Sequence, residues 1–224
     1  MGKEDWYRNA DWNEVIESAY RAKLSRARGT RSQYITIQAG QLVKKHPEIA
    51  LDLIDEYFAS YEDFVVPSAY CTRAEAYILL NRVDQAIASF KSALEWELTH
   101  PNYITNARID MPILVADRNI ENEYDYVFEV LTTRFKQSDH QWPSMRYYWN
   151  GCCALISHER GQLLEAKEFA ERALRAAAAT DSPFRYHRSL GLVKDTSDNF
   201  GQRVKRIARP SALSTLLRFA SNRE

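Results

Sequence analysis

Apolar residues recur at helical spacing along most of the chain. Trp12, Ile16, Ala19 and Tyr20 fall at i, i+4, i+7 and i+8, as one face of an amphipathic helix requires. Tyr34, Ile37, Gln38 and Leu42 continue the pattern. His46-Pro47 breaks it, and proline suits the first turn of the helix that follows, Glu48 to Ala59. That helix carries Ile49, Leu51, Leu53, Ile54, Tyr57 and Phe58, so it packs on more than one side. Pro67 opens a helix to about Leu80, Asn81-Arg82-Val83 is a turn, and Asp84 is the expected N-cap of a helix from Gln85 to Thr99. Beyond the break at Pro101-Asn102, Pro112 is expected to open a short helix ending near Arg118, and Tyr124 to Phe135 forms the next. Pro143 precedes a helix from Met145 to His158, Gly161 marks a turn, and Leu163 to Ala179 follows. Phe184 to Phe200 has no clean period and reads as irregular. Val204 and Ile207 lie beyond it, and after Pro210 a last amphipathic helix carries Leu213, Leu216, Leu217 and Ala220. No sustained alternation of apolar and polar residues occurs, so no sheet is expected.

The helices come in pairs joined by short turns. One central position in the second helix of each pair, Ala50, Ala86, Tyr126 and Ala166, recurs at intervals of 36, 40 and 40 residues. Two helices per unit at such a period is the arithmetic of an α-solenoid, in which each pair leaves an apolar face for the next to cover.

The pair at 68–101 resembles a tetratricopeptide repeat. Tyr70, Ala74 and Tyr77 fill the first helix, and Ala86, Phe90 and Ala93 fill the second. Small residues let the backbones approach, and aromatics fill the adjoining holes. Pro101 stands later than the family's terminal proline, which makes the second helix about one turn longer than the norm. The pair at 147–183 matches through Ala154, Gly161, Ala166, Ala170, Ala173 and Leu174, with Ser157 in place of an aromatic. The pair at 32–60 matches through Tyr34, Ala50 and Ile54, and the pair at 108–136 matches in helix spacing. The resemblance implies an all-α fold, an α-solenoid of about four such pairs over 31–183. An N-terminal helix would occupy 1–30, and a basic C-terminal segment with a capping helix 184–224. It also implies a concave face, lined by the first helices, that binds a peptide or a partner helix. The positions implied for that groove are Glu75 and Ile78, Arg118, and Tyr148, Gly151, Leu155 and His158. Cys71, Glu75, Ala39 and Leu155 stand where a carboxylate-clamping subtype carries its polar residues, so that clamp is not expected.

Bulk properties narrow the function classes. Basic and acidic residues balance at 30 each, which argues against a globally basic nucleic-acid binder. Hydrophobic residues are 45% of the chain and the mean hydropathy is −0.50, ordinary for a folded domain. The charge is unevenly placed. Residues 1–31 hold 7 basic and 5 acidic side chains, 32–183 hold 14 and 22, and 184–224 hold 9 and 3. Arg21, Lys23, Arg26, Arg28 and Arg31 at one end, and Arg203, Lys205, Arg206 and Arg209 at the other, form a candidate phosphate-binding patch. The alternative is that they pack on the acidic middle or sit as solvated caps.

Three cysteines, two of them adjacent, are no disulfide framework. With no secretory leader and no apolar run of membrane length, they point to the cytoplasm. No Gly-rich phosphate loop or nucleophile elbow is present. None of the five histidines pairs at i, i+4 with a histidine or cysteine, so zinc spacing is lacking. His158-Glu159 and Cys152-Cys153 are the nearest approach to a site. Adjacent helical cysteines point about 100° apart, which suits packing better than redox work. No metal, cofactor or catalytic residue is therefore expected. The expected function is that of a non-enzymatic adaptor or scaffold binding a protein or peptide, with no membrane partner. Nucleic-acid association through the basic ends, self-association as a homodimer and, more weakly, metal-dependent catalysis are the alternatives.

Overall fold

The computed structural model describes residues 5–135 and 142–209. Among them the regular structure is all helical, and no strand occurs. The chain divides into two compact units, Met1–Ala107 and Arg108–Glu224.

The first unit opens with a 3-10 turn, Asp5–Tyr7, and helix α1, Glu14–Leu24. Asn13 caps α1 in extended conformation, its side chain accepting from the Ile16 N–H. Two helix pairs follow: α2, Arg31–Leu42, with α3, Pro47–Ser60; and α4, Val66–Leu79, with α5, Val83–Thr99. Pro47 and Pro67 sit in the first turn of α3 and α4, where a missing N–H costs nothing. Asp84 is not the N-cap of α5. The helix starts two residues earlier, at Val83, Arg82 holds the cap position, and Asp84 lies in the first turn, where its charge still favours the helix dipole. At the α4–α5 turn Asn81 adopts φ 57°, and its equivalent Gly161 adopts φ 76° in the last pair. The core of this unit uses the repeat residues as expected. Ala74, Ala86 and Ala93 are fully buried, with Tyr77 and Phe90 packed among them.

The second unit begins in α6, Ala107–Arg118. Pro112 does not open that helix. It sits inside it and removes the N–H that would meet the Arg108 carbonyl. α7, Tyr124–Glu129, runs into a π turn at Val130–Arg134, where one longer-range bond, Phe135 N–H to Val130 O at 2.9 Å, replaces the α spacing. The last pair is α8, Pro143–Glu159, with α9, Leu163–Ala177. Ala154, Ala166, Ala170 and Ala173 are fully buried between them. The stretch expected to be irregular is so only up to Ser197. Asp198 caps a further helix, α10, Asn199–Ala208, by accepting from the Gly201 N–H at 2.8 Å. The amphipathic helix expected after Pro210 lies outside the described residues.

Candidate functional site

α10 decides how the last pair is exposed. Its Phe200 ring lies 5.7 Å from Tyr147 and 5.6 Å from Tyr148, centre to centre. A Cβ on Gly151 would stand 2.6 Å from Phe200 Cζ and 3.4 Å from Val204 Cγ2. Glycine at 151 is thus required by close approach of α10. Farther along, Leu155 and His158 face Arg203, Arg206 and Ile207 across a small cleft. Arg203 anchors the helix. Its guanidinium donates to Ala116 O at 2.7 Å and to Asn119 Oδ1 at 2.6 Å, and lies 3.6 Å from Glu159. The Asn199 side chain donates to Asp117 at 3.0 Å. Burial first, and then the Asp198 carboxylate, push the Tyr148 phenol above its ordinary value.

The implied groove positions therefore meet two fates. Tyr148, Gly151 and Leu155 are covered by the chain's own helix, and His158 stays exposed at its edge. Arg118 is exposed at the end of α6. On α4 the residues 80 positions earlier are Ser68, Cys71, Glu75 and Ile78: Ser68 and Glu75 are exposed, and Cys71 and Ile78 half-buried. Leu79 beside them is 50% exposed. Arg73, on the same helix, pairs with Asp55 at 3.0 Å and lies over the Phe58 ring, so it braces α4 against α3.

The basic residues divide in a similar way. Arg21 forms an ion pair with Glu56 and lies 3.5 Å from Glu17. Lys205 donates to Thr196 O at 2.9 Å. Arg203 is held as described. Lys23, Arg26, Arg28 and Arg31 are exposed in the first unit, and Arg206 and Arg209 in the second. α10, which carries most of the C-terminal set, is the element that sequence reasoning missed. Its signal was Asp198 followed by Phe200, Val204 and Ile207, obscured by Gly201 and a polar majority.

The two adjacent cysteines are core residues. Burial raises both the Cys152 and the Cys153 thiol well above the ordinary range, which leaves them poor nucleophiles. Cys71 alone is half-buried. A disulfide-exchange reagent should thus titrate Cys71 in the folded protein and reach the other two only on unfolding. Rapid reaction of all three without denaturant would contradict this burial. No cluster of three or more His, Cys, Asp or Glu able to hold a metal occurs among the described residues. No helix among them is long and apolar enough to cross a membrane.

Paired helices with alanines at their contacts define a helical-repeat protein. Residues 67–100 match the tetratricopeptide repeat family model, and the all-helical paired fold is consistent with a solenoid of such repeats. Neither the curated proteins nor the solved structures compared with it give a match. Tetratricopeptide repeats generally mediate protein–protein interaction and are typically non-enzymatic.

Proposed function

We propose that this protein is a non-enzymatic, cytoplasmic adaptor that binds an amphipathic helical segment of a partner protein along α4. The observation that carries this reading is the seat of α10 on α8. α4 and α8 occupy the same place in their repeats. On α8 the positions of Tyr148, Gly151 and Leu155 take up Phe200 and Val204 of a helix, while Arg203 of that helix settles on Glu159 and the Ala116 carbonyl at the rim. The equivalent face of α4 offers Cys71 and Ile78 as apolar floor, with Glu75 as an acidic rim. A helix presenting an aromatic or branched residue, a second one turn later and a basic residue between them fits that description. The interaction function follows from the repeat class.

The basic ends support nucleic-acid binding less well. Arg21, Arg203 and Lys205 already have partners within the fold. The test is affinity capture from native extract, with nuclease and without it, using the full chain and its Glu75→Lys and Ile78→Asp variants. Both side chains reach solvent, so both variants should keep the helical circular dichroism and melting of the parent. A nuclease-resistant protein held by the parent and lost by both variants is the expected result. Equal retention by all three, or capture that vanishes with nuclease, would refute the reading.

A further inference from the structure

Helix α5 runs 17 residues, to Thr99. Its last turn carries Trp96 into a cleft of about 360 Å³ lined also by Glu62, Asp63, Phe64, His100 and Tyr103. We propose that this cleft binds a methyl-substituted ammonium group.

Three aromatic rings wall the cleft. Tyr103 lies 5.5 Å from Trp96 in an edge arrangement and 6.2 Å from Phe64, and Phe64 and Tyr103 remain 46% and 42% exposed. Large rings left this open are not filling a core. Each wall is held from behind. Asp63 Oδ1 accepts from the Tyr57 hydroxyl at 2.9 Å and from the Val65 N–H at 3.1 Å, which fixes the turn that presents Phe64. Glu97, only 2% exposed, accepts from the Thr105 N–H at 2.7 Å and the Thr105 hydroxyl at 2.6 Å. The Tyr103 N–H donates to His100 O at 3.0 Å. The loop bearing Tyr103 is thereby tied at both ends. The His100 ring stacks on Trp96 at 3.7 Å and 9°, which fixes the orientation of the indole. The site is assembled before any ligand arrives.

The charge of the cleft selects the ligand. Two carboxylates, Glu62 and Asp63, stand beside aromatic faces whose quadrupoles are negative, so a cation is favoured over a neutral apolar group. An unsubstituted ammonium is strongly hydrated and gives up its water at high cost. Methyl groups lower that cost, spread the charge and fill the space between rings, the chemistry by which aromatic cages take quaternary ammonium ions. This inference is independent of the helix-docking face, because none of its residues lies on α4.

Calorimetric titration of the full chain tests it with three probes. These are tetramethylammonium chloride, a short peptide carrying trimethyllysine, and the same peptide with a neutral tert-butyl isostere. Saturable binding of a cationic probe is expected, with the isostere weaker by about tenfold. Trp96→Leu should weaken the cationic probe by about tenfold or more, and Glu62→Gln by roughly threefold. Glu62 is exposed, so Glu62→Gln should keep the fold and isolates the charge. Tighter binding of the peptide than of the simple ion would assign the site to a lysine side chain on a partner, and equal binding to a small quaternary ammonium. Both results support the proposal. No saturation by about 20 mM probe, or equal binding of the neutral isostere or of the same peptide with unmethylated lysine, titrated as a fourth probe, would overturn it.

Discussion

Replacing Phe200 by alanine should release α10 from the second unit at a cost of about 3 kcal/mol. The ring is 4% exposed and fills the space between Tyr147, Tyr148 and Gly151. Its loss leaves a cavity under a short helix that has few other apolar contacts, chiefly Val204. The effect should be local: hydrogen exchange should rise across 199–208 and on the covered side of α8, and remain slow in α4 and α5. Gly151 gives a sharper form of the same test. In the parent, Gly151→Ala drives a methyl into Phe200 and should destabilise. In the Phe200→Ala background the clash is gone, and alanine is better than glycine inside a helix by about 1 kcal/mol. The same substitution should then stabilise. Thermal melts of the four proteins form a double-mutant cycle, and additive effects would show that Phe200 does not rest on Gly151.

Trp149→Ala should cost more, about 3–5 kcal/mol, and should unfold the second unit at lower temperature. The indole is 5% exposed, and its N–H is shared between Leu131 O and Phe135 O, each at 2.9 Å. Those carbonyls lie in and just after the π turn that ends the α7 segment, where the change of spacing leaves acceptors without helical donors. Trp149 is thus both a large core side chain against Phe169 and the donor that closes the neighbouring helix end. Trp149→Phe separates the two roles. It keeps most of the volume and should lose only about 1–3 kcal/mol, the cost of leaving buried carbonyls unpaired. Little or no destabilisation by Trp149→Phe, measured by urea unfolding, would show that the hydrogen bonds contribute little.

The helix pairs were legible because their signal is redundant. Tyr70, Ala74, Tyr77, Ala86, Phe90 and Ala93 each report the same packing, and all but Tyr70 are buried. Single positions were less informative. Asp84 is a good capping residue, but the helix starts two residues earlier than expected and the cap position went to Arg82. Pro112 looked like a helix start; tertiary contacts of Met111, Val115 and Ala116 in the core carry α6 through it. The π turn has the same apolar pattern as an α-helix and differs only in a hydrogen-bond offset, which no residue type marks. α10 escaped because ten residues with three apolar positions give a weak period, and its stability comes from the face it covers. For that reason the sequence carries no sign that α10 covers the positions implied for a groove on α8. The aromatic cleft was equally hidden. Phe64, Trp96 and Tyr103 are far apart in sequence, and only the long α5 hinted that something follows the repeat.

Cys71 provides the most direct measurement, since it lies on the α4 face between Ser68 and Glu75. Its alkylation rate in the native protein can be followed site by site by mass spectrometry, in buffer and in cell extract. A partner helix docked along α4 should slow modification of Cys71 by about tenfold or more, as burial of a thiol does, and Glu75→Lys should restore the rate. An unchanged rate in extract that still yields a captured, nuclease-resistant partner would place the contact elsewhere and contradict recognition along α4.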